Sequence, residues 1–192
     1  MGGKGSFAVL LSVLFSVLFS GCAGIPKGTE PVGGFELERY LGRWYEIARL
    51  DHSFERGLNN VTAEYSMRDD GGVRVLNRGY DPQNDVWKEA EGRAYFVDDP
   101  SVGRLKVSFF GPFYGGYNIL ELDQEGYGYA LVAGPTRSYL WILARAPRLD
   151  EAVIRRLTDR AAELDFPVDE LIFVEHTFED TTQDTTKTAK GQ

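Results

Sequence analysis

Two hydrophobic rhythms run along the chain, and the first dominates. Short stretches rich in aromatic and β-branched residues recur between clusters of turn residues, the pattern of successive strands. Eight such stretches follow one another: Trp44–Leu50, Val61–Arg68, Val73–Tyr80, Val86–Val97, Leu105–Phe110, Tyr117–Leu122, Tyr127–Ala133 and Tyr139–Ala144. Their separators include DDGG, DPQND, DDPSVG, GPFYGG, DQEG and GPTRS. Glycine and Asn/Asp tolerate the backbone angles of tight turns, and proline presets them. Links this short join antiparallel neighbours, so the strands form a meander. The second rhythm is helical and comes late. Ala152, Val153, Leu157, Ala161 and Leu164 recur at helical spacing, Asp150 stands at the cap position and Pro167 ends the segment. Leu171–Glu175 adds one short strand.

An open meander of eight strands leaves two edges exposed, and closure removes them. The predicted fold is therefore all-β: an eight-stranded up-and-down antiparallel barrel, with one C-terminal α-helix packed outside and a short final strand. A barrel of this size holds either side chains or one small ligand. In an even-stranded meander the first strand starts and the last ends at the same rim. That brings Trp44, in the run Gly42-Arg43-Trp44, to Arg145. A guanidinium over an indole is a favourable pair and closes that end. Loops 51–60, 81–85, 110–116 and 134–138 then lie at the opposite, open rim.

Alternation along each strand assigns candidate lumen residues. Tyr65 and Met67 share a face with Val61 and Ala63. Val107 and Phe109 share one with Leu105. Tyr117 pairs with Ile119, against Leu120 and Leu122. Tyr139 and Trp141 share a face with Arg145, and Tyr95 shares one with Glu91 and Arg93. Each of these reads either as plain core packing or as ligand contact, and parity leaves the face open where both are apolar. Glu46 shares the face of Trp44. A carboxylate inside a barrel must be paired or neutral. Glu46 and Arg93 are accordingly candidates for a polar cluster that receives a headgroup or carboxylate, or else side chains turned to solvent. The aromatic turn FGPFYGG either folds over its own barrel or offers Phe113 and Tyr114 to a membrane or a second subunit.

The N-terminus changes the picture of where the barrel works. Lys4 precedes an apolar run, Phe7–Phe19, that is too short for a comfortable membrane span and has the length of a signal-peptide core. Ser20-Gly21-Cys22 follows, and it resembles the bacterial lipobox, whose cysteine is acylated; an ordinary secretory signal leaving a free thiol is the other reading. The expected division is a lipoprotein signal over 1–21, an acylated Cys22 with a flexible tether over 22–34, the barrel over 35–177 and a disordered tail over 178–192. Ala23 in place of an aspartate goes with the outer membrane. The 192 residues carry a formal net charge of -8 and no basic cluster, which argues against nucleic acid as a partner. G-x-S-x-G, P-loop and H-E-x-x-H motifs are absent from the sequence, and His52 and His176 lack a metal-ligand spacing. No catalytic residue, metal or cofactor is assigned, and the two histidines read as surface or rim residues.

The stretches WYEIARLDHSFERGLNNVTAEYS, LKVSFFGPFYGGYNI and YALVAGPTRSYLWIL are similar to the lipocalin family. The resemblance runs from about Phe35 to Thr177. It is strongest to the bacterial outer-membrane lipoprotein branch, whose relatives include the apolipoprotein D group. It implies a calyx that binds fatty acids, lysophospholipids or similar lipophiles at the periplasmic face of the outer membrane, and it leaves a homodimer open. A pigment, haem or another hydrophobic small molecule is the alternative ligand, and lipocalin-type catalysis a further one.

Overall fold

The computed structural model describes residues 23–177. The expected signal 1–21, Cys22 and the tail 178–192 fall outside the described residues. Eight strands close into a barrel: β1 Gly42–Arg49, β2 Asn59–Met67, β3 Val73–Asp81, β4 Val86–Phe96, β5 Arg104–Phe110, β6 Phe113–Leu122, β7 Tyr129–Ala133 and β8 Leu140–Ala144. Neighbours in sequence pair antiparallel, and β1 completes the ring by pairing with both β2 and β8. A ninth strand, β9 Ile172–Phe173, adds beside β1.

The alternation that builds the strands also builds two cores. Trp44, Tyr65, Val75, Ala94, Leu105, Ile119, Val132 and Leu143 point inward and pack together. Ile47, Leu120, Leu131, Leu140 and Ile142 point outward and are covered by α2, Glu151–Glu163. Leu157 and Ala161 of α2 are fully buried against that wall. The Asp150 side chain accepts a 2.7 Å hydrogen bond from the Ala152 amide, which satisfies an otherwise free donor of the first turn.

Register shifts interrupt four ladders, β1–β8, β2–β3, β5–β6 and β6–β7, and two of them re-sort side chains between the two cores. One, between Glu46 and Ala48 in β1, leaves Glu46 inside, turns Ile47 and Ala48 outward and returns Arg49 to the interior. The other, between Ile119 and Glu121 in β6, separates Leu120, under the helix, from Leu122, inside. The expectation that Leu120 and Leu122 share a face is corrected by this extra residue.

The closed end is built from one strand start and one strand end. The Arg145 guanidinium stands 4.1 Å over the Trp44 ring. It also donates to the carbonyls of Arg43, Arg39 and Tyr127 at 2.8, 2.7 and 3.3 Å. Gly42 takes φ +91, a left-handed conformation costly for other residues, and passes within contact of the same guanidinium. A short helix not foreseen in the sequence, α1 Leu37–Tyr40, covers this end and sets the Tyr40 ring 4.6 Å from Trp44.

Residues 23–34 depart from the expected flexible tether. They form a strap down the outside of the barrel. The Gly24 carbonyl accepts from Asn118 at 3.2 Å, and the Lys27 carbonyl from Arg137 at 2.7 Å. Thr29 is buried, and Val32 exchanges 2.8 Å backbone hydrogen bonds with Ile119 and Gly103. A Cβ on Gly116 would collide with the Gly24 carbonyl, so the strap lies where β6 has no side chain. Glycine and proline made this segment look like a linker; backbone hydrogen bonds hold it.

Candidate functional site

The lumen has an apolar floor and a polar upper storey. On the floor, above Trp44, three tyrosines meet. The Tyr117 hydroxyl lies 2.7 Å from that of Tyr40 and 2.8 Å from that of Tyr65. Burial, above all, raises the pKa of all three phenols, so they stay protonated. Around them Val107, Phe109, Tyr117 and Trp141 pack against the inner core yet are only partly covered.

The upper storey is held by β1 and the loop that follows it. The Arg49 guanidinium donates to the Glu46 carboxylate at 2.7 Å and to the carbonyls of Glu55 and Leu58 at 2.9 and 3.3 Å. The Glu55 carboxylate accepts from the Trp141 indole at 3.0 Å and stands 3.6 Å from His52 Nε2. The His52 ring stacks on Phe54 and Tyr139, at 5.0 and 5.1 Å between centroids. Glu46, Arg49, His52 and Glu55 are all buried. Arg49 Nε, both ring nitrogens of His52 and Asn77 Oδ1 have no hydrogen-bond partner among the described residues.

Two carboxyl groups share one guanidinium here, and the electrostatics follow. Burial and the neighbouring Glu55 push the Glu46 carboxyl up to about 8, against the opposing pull of Arg49. Burial raises Glu55 as well. Burial and the Arg49 charge hold His52 down at about 4, so it is neutral at pH 7. Their contributions to stability have opposite signs. Glu46 binds its proton more tightly folded than unfolded, so its contribution is full below pH 4.5 and is lost as pH rises through about 8. His52 binds its proton less tightly when folded, so stability is lost as pH falls from 6.5 towards 4. Glu46→Gln is therefore expected to gain stability over the parent steadily from pH 5 to pH 9, read as a growing difference in melting temperature. A constant difference would show that Glu46 does not titrate in this window.

A family described as the lipocalin-like domain matches residues 35–176. The chain belongs to the lipocalin family. It is 55% identical to the outer membrane lipoprotein Blc of Vibrio cholerae over 163 residues, covering 85% of this chain and 95% of that one. It is 53% identical to the protein of the same name from Escherichia coli over 150 residues, 78% and 84% of the two chains. Apolipoprotein D of Rattus norvegicus is 37% identical over 131 residues, 64% and 67% of the two chains. Among solved structures, insecticyanin from the tobacco hornworm superposes with a TM-score of 0.65 at 22% identity, covering 80% of this chain and 87% of that one, a likeness of fold.

In this lipocalin the inner wall carries Tyr65, Val107, Phe109, Tyr117, Ile119 and Trp141, and Tyr139 lies against His52 and Trp141 at the open rim. Three sequence assignments are corrected. Tyr95 lies on the outer wall, where its hydroxyl donates to Asp70 at 2.9 Å and its ring packs 6.3 Å from Tyr114. Arg93 is on the same outer face and donates to the Tyr114 hydroxyl at 3.1 Å. Pairing of Ala94 with Val73 and Val107 fixes that parity, because both partners point inward. Met67 ends β2 at the closed rim and is 51% exposed, so it does not line the cavity. The partner of Glu46 is Arg49, not Arg93.

The sequence reading missed Arg49, Glu55 and Asn77, and it took His52 for a surface or rim residue. A β-bulge hid Arg49, and a loop folded inward hid His52 and Glu55. One signal was legible: Asn77 has the parity of Val73 and Val75, an amide in an otherwise apolar row.

Proposed function

We propose that this lipocalin is anchored to the bacterial outer membrane through acyl chains on Cys22 and binds single-chain lipids, fatty acids and lysophospholipids, in its lumen. The carrying observation is the layering of the interior: partly covered apolar walls at Val107, Phe109, Tyr117 and Trp141 beside a buried polar cluster at Glu46, Arg49, His52 and Glu55. An amphiphile has that same division into tail and head. The name shared by relatives at 53–56% identity and the lipobox-like run ending at Cys22 support the anchor. One acyl chain holds a protein only marginally, so a stable anchor requires at least two. The protein acts by binding and release rather than turnover.

Titration with palmitate as pH is raised tests this assignment. Ionising Glu46 places a negative charge beside the polar end of the site, so affinity for the carboxylate falls by roughly tenfold between pH 7 and 9. The fall disappears in Glu46→Gln. Arg93→Ala, on the outer wall, behaves as the parent. Palmitate that binds no tighter to the folded protein than to an unrelated barrel would remove the assignment.

A further inference from the structure

Among the described residues, five of the eight large exposed apolar side chains gather at the open end, while Met67 lies at the closed rim and Ile172 and Phe173 lie on β9. Phe54 lies in the β1–β2 loop, Val86 and Trp87 begin β4, and Phe110 and Phe113 flank the β5–β6 turn; all five belong to the open end. Phe110 and Phe113, the last pair of β5 and β6 before the Gly111-Pro112 turn, are 81% and 75% exposed, side by side on the surface. The wall beside them is notched. β4 pairs with β5 only over Arg93–Phe96, while its outer half, from Val86, pairs with β3. Val86, Lys88 and Ala90 have the inward parity of Ala94 there, yet they are exposed.

The path of the strap adds a second, independent observation. Gly24 runs beside the β7–β8 turn, where a Cβ added to it would meet Pro135, and its carbonyl accepts from Asn118 on β6. Gly116, three residues into β6 from Phe113, lies directly under the Gly24 carbonyl. The strap thus leads from the β6 side of the open rim, the side of the exposed phenylalanines, towards the closed end. A formal charge of -8 gives no electrostatic reason for this rim to seek anionic lipid, so its attraction is apolar.

We propose that the β4–β6 side of the open rim, carrying Phe110 and Phe113, docks into the surface of the lipid bilayer, with the notch between β4 and β5 facing the membrane as the passage for a lipid chain. The proposal rests on the anchored reading above. Exposed phenylalanines on an apolar face bury at the boundary between headgroups and acyl chains. Docked this way, a lipid chain moves between bilayer and lumen without crossing water.

The test uses the full acylated protein in vesicles of phosphatidylethanolamine and phosphatidylglycerol. In F113W the added fluorescence, taken as the difference from the parent, is expected to shift to the blue and to be quenched by lipids brominated near the headgroup. High salt leaves the quenching in place. Emission typical of water would overturn the proposal, and so would a blue shift without bromolipid quenching, which would mean that a second copy of the chain covers the rim. Phe110→Ser with Phe113→Ser is expected to slow lipid uptake from vesicles about tenfold or more, since two exposed aromatic anchors are lost, and to leave uptake from detergent unchanged. Equal rates from vesicles would also overturn it. The two readings fail separately. An acylated protein whose rim is not quenched keeps the anchor and loses the docking; quenching in a protein without acyl chains keeps the docking and loses the anchor.

Discussion

Trp44→Ala lowers the stability of the barrel by about 3–5 kcal/mol, the range for a large buried aromatic. The indole is fully buried and makes three contacts of different kinds. The Arg145 guanidinium lies over it at 4.1 Å, the Tyr40 ring packs against it at 4.6 Å between centroids and 32° between planes, and its Nε1 donates to the Tyr40 carbonyl at 2.8 Å. Truncation opens a void at the point where β1, β8 and α1 converge. It also leaves the guanidinium without its aromatic partner, although three carbonyls still hold it. For a domain of this size the melting temperature drops by roughly 10 °C. A melt within a degree or two of the parent would mean that the closed end is not a structural keystone.

Arg49→Met is expected to cost a similar amount, about 3–5 kcal/mol, for a different reason. Arg49 is 2% exposed and is the cation that Glu46 meets at 2.7 Å. It also fastens the carbonyls of Glu55 and Leu58, so it holds the β1–β2 loop over the lumen. Methionine fills part of the space and leaves two carboxyl groups buried together. Both already bind protons more tightly than a free glutamate. Without the guanidinium their proton affinity rises further. The loss is therefore smaller at pH 5, where the carboxyls are protonated, and larger at pH 9, where they must ionise. Urea unfolding at the two pH values checks this. An equal loss at both would assign the cost to packing and not to charge.

These two residues also mark what the sequence made legible. Trp44 was readable because closure of an even-stranded meander forces the first strand's start against the last strand's end, whatever the register. Arg49 was not, because parity counted from Trp44 puts it outside and a bulge at Ile47 reverses that. The same logic separates the lumen assignments. Alternation in β2, β5 and β8 pointed to Tyr65, Val107, Phe109 and Trp141, and all four face the inner core although β2 and β5 each carry a register shift. In β4 the aromatic Tyr95 drew the eye to the wrong face, since the inner row there is Ala94, Gly92 and Ala90, small residues with no hydrophobic signature. A Cβ on Gly92 would strike the Phe109 ring, so smallness in β4 is what makes room for the aromatic of β5. The strap of residues 23–34 was illegible for another reason: its contacts are mostly backbone hydrogen bonds, which leave no trace in side-chain pattern.

The cargo proposed for the lumen of this lipocalin is a single-chain lipid. Native mass spectrometry of the full-length protein, extracted from membranes in mild detergent, tests it most directly. The expected spectrum is a series of adducts with the masses of fatty acids or lysophospholipids, each released on collisional activation, on a protein that itself carries acyl mass at Cys22. A barrel that emerges empty under conditions where added palmitate also fails to bind, or one that carries a coloured ligand instead, would contradict it.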